Sequence, residues 1–222
     1  LEGHQQNARK VFGTMIHQPM VRWTTLAIMV FSLIGLYAFW VYQKYWEFNG
    51  IPVSWFGYLW ALHCVLRGMV GQWSHEIEES LGWQKVFVVS AALPILGLFG
   101  MGFFGGWLGI AFTLGLVIAR GLNTVVFYNA LNQRVDSEFR ATVNSLVSLG
   151  TRGLFIVTGP LLGYLMDSQG VHSTLLILAT CLTPVVLLVL FFLSLEIRKE
   201  EARNQAEIGD ASVNSAKETL IV

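Results

Sequence analysis

The chain has 222 residues, of which 54% are hydrophobic and 13% are charged. Soluble domains carry about 25% charged residues, so this composition excludes an ordinary soluble domain and indicates a membrane protein. The formal net charge is zero, which argues against a basic surface, and we expect no nucleic-acid partner. The two cysteines, Cys64 and Cys181, lie in apolar runs, so we expect no disulfide framework.

Uncharged runs predict an all-α membrane protein with six transmembrane helices, because a helix of about 20 apolar residues crosses a bilayer. A continuous uncharged run at residues 86–119 is too long for one straight span, and we divide it at Gly105-Gly106, within a cluster of glycines. The spans are expected at about residues 23–43, 53–74, 86–104, 107–133, 141–166 and 173–195.

Two polar segments flank the six-helix bundle, which we place at residues 21–195. Residues 1–20 lack the layout of a signal peptide, and the chain begins at Leu1 rather than Met, so we expect either processing or a piece of a longer protein. Residues 196–222 carry many charges of both signs and no long apolar run, which is typical of a solvated, mobile tail.

The positive charges outside the spans predict the orientation. With six spans, ten lysines and arginines fall on the side of the two termini, and Lys44 alone falls on the opposite side. Because cytoplasmic loops are enriched in Lys and Arg, we expect both termini in the cytoplasm and a multi-pass protein of the plasma membrane, which in a bacterium is the inner membrane.

No catalytic or phosphate-binding motif occurs in the sequence. It contains no G-x-S-x-G, H-E-x-x-H or C-x-x-C pattern and no phosphate-binding glycine loop. Cys64 next to His63 is the one conceivable nucleophile and base pair, but adjacent helical residues point about 100° apart. We therefore expect no enzyme, no metal and no cofactor.

Arginines inside the expected spans are the strongest functional signal. Arg67, Arg120 and Arg152 lie in spans two, four and five, where an ionisable side chain marks a functional site by default. Arg67 is near enough to the cytoplasmic end to reach lipid headgroups instead; for the two deeper arginines the alternative is a misplaced span boundary. Because no Asp or Glu lies in any expected span, their counter-charge must come from an anionic substrate, from a missing part of the protein or from backbone carbonyls.

Helical spacing groups other polar and aromatic residues with these arginines. Three such stripes would suit a water-accessible interior, although ordinary interhelical hydrogen bonding explains any single member equally well. The stripes are Phe56, Trp60, His63 and Arg67 on span two; Arg120, Asn123 or Thr124, and Phe127 on span four; and Asn144, Ser148 and Arg152 on span five.

The segment joining spans four and five resembles a region of the major facilitator superfamily of transporters. The resemblance is to the connection between the tenth and eleventh spans, with R-A-T-x-x-S in the loop and G-P-L-x-G-x-x-x-D closing the later span. The matching residues are Leu131-Asn132-Gln133-Arg134, Arg140-Ala141-Thr142-Val143-Asn144-Ser145-Leu146, Arg152 and Gly159-Pro160-Leu161-Leu162-Gly163-Tyr164-Leu165-Met166-Asp167.

A weaker match lies after span two, where the family carries a G-x-x-x-D-R-x-G-R-R loop. Gly71 and Leu81-Gly82 fit, but His75 replaces the acid and the paired arginines are absent. We interpret Gly71 and His75, together with four loop charges between spans four and five, as candidate cytoplasmic gate residues, with a solvated loop as the alternative. The four loop residues are Arg134, Asp136, Glu138 and Arg140.

The resemblance implies the C-terminal half of a twelve-helix transporter, built as two inverted three-helix repeats. The implied function is secondary active transport of a small solute by alternating access, with a proton or sodium ion as coupling candidates and with lipids and a missing six-helix half as partners. The substrate cavity is expected to contain Arg120, Arg152, Asn123, Trp60, His63, Arg67, Asn144 and Ser148, and its positive charge favours an anionic or amphipathic solute. A six-span scaffold or receptor module that moves nothing is the alternative.

Overall fold

The computed structural model describes residue 13 and residues 17–221, and within them the helical bundle has no strand. The side chains of residues 75, 78, 83, 84, 204 and 207–221 lie outside this description. Six long helices and one short 3-10 helix, Val53–Trp55, are described from residue 19 onward. The long helices are α1 (Pro19–Phe48), α2 (Phe56–Leu81), α3 (Trp83–Phe103), α4 (Gly106–Gln133), α5 (Arg140–Gln169) and α6 (Val171–Ile221).

Each long helix overlaps one expected span, and the break within the uncharged run is confirmed. α3 ends at Phe103 and α4 begins at Gly106, which has a φ of +60°. This left-handed conformation is open to glycine without steric cost, so the glycine pair allows the chain to reverse direction in two residues. Pro94, Pro160 and Pro184 lie inside helices, as membrane helices tolerate.

Within the described part of the chain, five helices are long and apolar enough to cross a membrane. They comprise Pro19–Phe48, Lys85–Phe103, Gly106–Gln133, Arg140–Gln169 and Val171–Arg203. These helices make the chain a membrane protein. α2 is not among the five, because His63, Arg67 and the polar residues near its end lower its mean hydropathy.

Contacts at two levels show that α1 and α4 run in opposite directions. Near one end the Tyr42 hydroxyl donates to the Thr113 carbonyl at 3.4 Å, and nearer the other end the rings of Phe31 and Phe127 stack with centroids 5.3 Å apart. α2 runs parallel to α4, because His63 lies beside Thr113 and Gly71 lies beside Val125.

The remaining helices continue this alternation. α5 runs parallel to α1, since Gly150 approaches Met29 and Phe155 approaches Tyr37. α6 runs against α1, with Trp23 stacked on Phe192 at one end and Tyr45 beside His172 at the other. α3 runs against α4, with Phe87 beside Phe127 and Phe104 stacked on Phe112. Consecutive helices therefore cross the bundle in alternate directions.

α1 and α4 form the centre of the bundle. α1 packs against α4, α5 and α6, whereas α4 packs against α1, α2 and α3; α3 and α6 also pack against each other. Tyr45 and Trp46 of α1 are completely buried. α5 lies at the periphery and exposes large apolar side chains such as Ile156 (73% exposed) and Val157 (75% exposed).

α6 differs from the expectation of a tail after residue 195, because the helix continues to Ile221. Its extension is rich in Glu, Ala, Lys, Arg and Gln, which are strong helix formers. Lys199 donates to Glu196 at 2.7 Å one turn earlier, a spacing that supports a helix.

Close contact between α1 and the α3–α4 connection depends on Gly109. A Cβ at this position would overlap the Tyr45 hydroxyl and the Phe104 carbonyl oxygen, which are themselves joined by a hydrogen bond of 2.6 Å. We expect Gly109→Ala to lower the free energy of unfolding by about 1–3 kcal/mol, the usual cost of overpacking, measured by reversible denaturation of the intact protein in mixed micelles.

Gly57→Ala is the matched control, because a Cβ at Gly57 on α2 meets nothing within 4 Å. We expect this variant to be as stable as the wild type or slightly more so, since alanine favours the helix. Equal stabilities of the two variants would contradict the proposed close contact.

Candidate functional site

The interior cavity is a small space of about 50 Å³ lined mainly by residues of α1, α2 and α4. All five expected cavity residues of spans two and four line it, and no acidic side chain does. It is lined by Phe31, Ile34, Gly35, Ala38, Phe39, Tyr42, Trp60, His63, Cys64, Arg67, Pro94, Leu116, Val117, Ala119, Arg120 and Asn123.

Arg120 of α4 crosses to α1 and is held there by a backbone group. Its Nη1 donates to the Gly35 carbonyl oxygen at 2.8 Å. A Cβ at Gly35 would stand 2.9 Å from the same Nη1 and 3.1 Å from Cζ, so the approach needs glycine. One of the five N–H donors of the guanidinium is thereby used, and the side chain is half-buried.

His63 of α2 is buried and paired with α4. Its Nε2 lies 3.2 Å from Thr113 Oγ1, and that hydroxyl donates to the Ile110 carbonyl at 2.6 Å. Because a threonine hydroxyl has one proton, Nε2 must carry the proton and donate to Oγ1. Nδ1 is then a bare acceptor, and within the described residues it is buried without a hydrogen-bond partner.

Aromatic rings surround the imidazole of His63 on the α1 side. The ring centroids of Tyr42, Trp46 and Trp60 lie 5.0, 5.5 and 6.0 Å from that of His63, and Phe39 lies 4.8 Å from Trp60. These rings form an aromatic part of the cavity lining. The arginines form its charged part.

Arg67 and Asn123 complete the polar part of the lining. Arg67 lines the same cavity as Arg120 and has no ion pair with a described acidic residue. Asn123 is 7% exposed, and its Oδ1 is buried without a partner among the described residues. The interior cavity therefore combines two cations with two unpartnered acceptors, and such buried orphan groups are uncommon in folded proteins.

A side cavity of about 350 Å³ adjoins the interior cavity along the α1–α4 groove. Arg120, Asn123 and Phe31 line both spaces. The other lining residues are Ile28, Ser32, Thr124, Phe127 and Tyr128. Arg120 and Asn123 thus lie at the boundary between the small interior cavity and the larger side cavity.

The expected cavity residues of span five do not line either cavity. Asn144 of α5 donates through Nδ2 to Asn132 Oδ1 of α4 at 3.2 Å, which ties the two helices together near their connection. Ser148 is half-exposed, and Arg152 is exposed on the outer face of α5. Their place in a substrate cavity stays a prediction.

The expected gate residues of the α4–α5 connection make mostly local contacts. Arg134 donates through Nη2 to Glu200 of α6 at 2.6 Å and through Nη1 to the Ala130 carbonyl at 2.9 Å. Arg140 donates to the Val135 carbonyl at 3.1 Å. Asp136 and Glu138 are exposed, Gly71 faces Val125 of α4, and the side chain of His75 lies outside the described residues.

Gly35, Thr113 and Glu200 are contact residues that the sequence analysis did not identify. Thr113 lies seven residues before Arg120, two helical turns along the same face, so its spacing contained a usable signal. Gly35 and Glu200 lie 85 and 66 residues from their arginine partners, and no local pattern marks them.

Among the described residues, no group of three or more His, Cys, Asp or Glu side chains could hold a metal ion. No family model, curated protein or solved structure matches the chain.

The hydrogen bond between His63 and Thr113 predicts a measurable coupling between α2 and α4. A double-mutant cycle with His63→Phe and Thr113→Val should give an interaction energy of about 0.6 kcal/mol, the average for interhelical hydrogen bonds in membranes, and at most about 1.7 kcal/mol. Reversible unfolding of the intact protein in mixed micelles gives the four stabilities.

The control cycle pairs His63→Phe with Thr180→Val. Thr180 is exposed on α6 and donates to its own helix, at Leu176, so its coupling with His63 should be near zero. An interaction energy for Thr113 no larger than that for Thr180 would show that the interhelical bond does not form.

Proposed function

We propose that this chain is the C-terminal six-helix half of a secondary transporter of the major facilitator type. The observation that carries the proposal is the pairing of the helices. If α1 is exchanged with α4, α2 with α5 and α3 with α6, every substantial contact between long helices maps onto another substantial contact. Such a pattern is expected of two three-helix repeats.

The alternating helix directions support an inverted relation between these repeats. Three helices are an odd number, so a second repeat that follows directly starts from the opposite side of the membrane. α1 and α4, the first helices of the two units, accordingly run in opposite directions. They also pack against each other at the centre, where inverted-repeat transporters place their substrate sites.

The arginines of α2 and α5 occupy nearly equivalent positions in the two units. Arg67-Gly68 lies eleven residues after the start of α2, and Arg152-Gly153 lies twelve residues after the start of α5. In this proposal Arg152 lines the translocation pathway as Arg67 does, on a face that an N-terminal half would cover. Asn144 and Ser148 lie on the same stripe of α5.

The missing half also accounts for α2 as a sixth span. A helix with Arg67 and a mean hydropathy below that of its neighbours is poorly suited to contact lipid on every side. Packed between two bundles, the same helix places its polar stripe on the pathway and its apolar residues, such as Val65 and Leu62, against protein or lipid. Both α2 and α5 expose such apolar residues in this half.

Orientation follows from the charges at the two ends of the bundle. The α4–α5 connection with Arg134 and Arg140 lies at the same end as the start of α1 and the α6 extension, which carries Arg198 and Lys199. We assign this end to the cytoplasm by the enrichment of positive charge there. The opposite end carries Lys44, which lies 3.8 Å from Glu47.

Transport by alternating access would expose the interior cavity to each side in turn. Arg67, Arg120, Asn123, His63 and Trp60 then contact the solute, while the Arg134–Glu200 pair links the α4–α5 connection to α6 at the cytoplasmic end. Because no carboxylate lines the cavity, coupling to a proton or sodium ion would use a group of the missing half or His63.

Sided labelling of Cys64 tests the proposal without knowledge of the solute. Cys64 lines the interior cavity and is exposed. In a Cys181→Ser background, a membrane-impermeant thiol reagent should label Cys64 in both right-side-out and inside-out vesicles. We expect rates at least about tenfold above background in both, because irreversible labelling traps even a state populated at a few per cent.

The matched control is Cys64→Ser, which retains Cys181. Cys181 is exposed in an apolar stretch of α6 and lines neither cavity, so it should label from neither side. Labelling of Cys64 from one side only, or from neither, would contradict alternating access and favour a static membrane module.

A further inference from the structure

The interior cavity has room for a small polar group and little else. A single buried water needs roughly 10–15 Å³ by a comparable measure, and the cavity offers about 50 Å³. A group of a few non-hydrogen atoms fits, and a larger solute would have to extend into the side cavity beyond Arg120. The lining should therefore recognise one small polar end of a ligand, which we call its head.

The two arginines, of which Arg120 is half-buried and Arg67 is exposed, favour a negative charge in that head. Arg67 and Arg120 line the same small space with no acidic side chain among the lining residues. Only one N–H donor of Arg120 is used, by Gly35, so the guanidinium still has donors for a second partner. A carboxylate matches the planar donor pair of a guanidinium better than a spherical anion does.

The two unpartnered acceptors require a hydrogen-bond donor in the same head. His63 is 5% exposed and Asn123 is 7% exposed, and His63 Nδ1 and Asn123 Oδ1 are buried without a partner among the described residues. A bare carboxylate cannot donate to either atom. A hydroxyl group beside the carboxylate has one proton and can donate to one of the two atoms, and it adds no positive charge next to the arginines.

We propose that the interior cavity binds the head of a small hydroxycarboxylate. The carboxylate pairs with Arg120 and Arg67, the hydroxyl donates to His63 Nδ1 or Asn123 Oδ1, and the rest of the ligand extends past Arg120 into the side cavity. This inference rests on the proposed function, since it names the solute class of the same cavity. Gly35 is a positioning residue, because its missing Cβ leaves room for the Arg120 guanidinium.

Two matched sets of probes test the chemistry on the intact wild-type protein in lipid nanodiscs. One set is mandelate, phenylacetate and mandelamide; the other is lactate, propionate and lactamide. In each set the second compound lacks the hydroxyl and the third lacks the charge. In at least one set, we expect calorimetry to show that the hydroxy acid binds at least about tenfold more tightly than the other two compounds of that set. Each of those compounds lacks either a buried hydrogen bond or an ion pair with the protein.

The hydroxycarboxylate assignment is overturned if neither set shows this preference, or if inorganic phosphate binds more tightly than every hydroxy acid. Because these comparisons use the wild-type protein, they do not depend on whether any variant folds.

Variants then locate the site. Arg120→Gln and Arg67→Gln should each weaken binding of the preferred hydroxy acid by about 10- to 100-fold, while the affinity for the matching amide changes little. Gly35→Ala should weaken the hydroxy acid alone by displacing the guanidinium. Arg198→Gln, which removes a charge far from the cavity on α6, should leave all affinities unchanged. Equal effects of Arg198→Gln and Arg120→Gln would overturn the location.

The outcomes separate this inference from the transporter proposal. If Cys64 is labelled from both sides but no hydroxy acid is preferred, the transporter proposal is retained and the ligand assignment is rejected. An arginine-dependent preference for hydroxy acids with one-sided labelling of Cys64 leaves a binding site and removes transport.

Discussion

The contact between the Arg120 guanidinium and the Gly35 carbonyl is the interaction on which the centre of this bundle depends. A charged side chain at the middle of a membrane helix costs about 2.5–3.5 kcal/mol on insertion scales, and it needs a polar partner within the protein. α1 has no acidic side chain facing it, so a main-chain carbonyl takes that place, at 2.8 Å. A backbone oxygen is available only where no side chain covers it. The positive charge of Arg120 on α4 is therefore stabilised by the Gly35 carbonyl of α1, which it can reach because Gly35 has no side chain.

This contact also determines where the space in the bundle lies. α1 and α4 approach closely at Gly35 and again at Gly109, where Tyr45 reaches the Phe104 carbonyl. Between these two levels α2 contributes Trp60 and His63, whose rings are too large to allow equally close packing. The interior cavity is thus bounded by two close contacts and one aromatic helix. Its polar groups belong to helices that cannot shift separately without losing a hydrogen bond.

Much of the fold could be predicted from the sequence because the bilayer imposes a length and a composition on each helix. The charges at Arg22, Lys44 and Lys85 and the glycines at residues 105 and 106 marked the boundaries in the first half of the chain, and the polar segments 134–140 and 167–170 separated the last three helices. The approach of Gly35 to Arg120 could not be predicted, because in sequence a glycine in an apolar run is indistinguishable from any other small residue at a helix contact. Its role exists only through a partner 85 residues away.

The stripe on α2 was predictable for a similar reason, and the exposure of α5 was not. Residues 60, 63 and 67 share a helix face whatever surrounds them, and that face meets α1 and α4. Arg152 obeys the same periodicity, yet periodicity does not say which neighbour covers a face. Its exposure follows from the peripheral packing of α5, which contacts α1 and α6 but leaves much of its surface open.

The low hydropathy of α2 and the polar interior cavity have one physical origin. A helix that carries both His63 and Arg67 gains less from contact with lipid than its neighbours do, so its stability in a membrane depends on helices that pair with its polar stripe. α4 supplies Thr113 for His63, but Arg67 has no such partner among the cavity-lining side chains. The stability of α2 in a membrane consequently depends more on its neighbours than that of the other five long helices does. If an anion neutralises Arg67, as proposed for the interior cavity, binding of that anion and the stability of this helix should be linked by mass action.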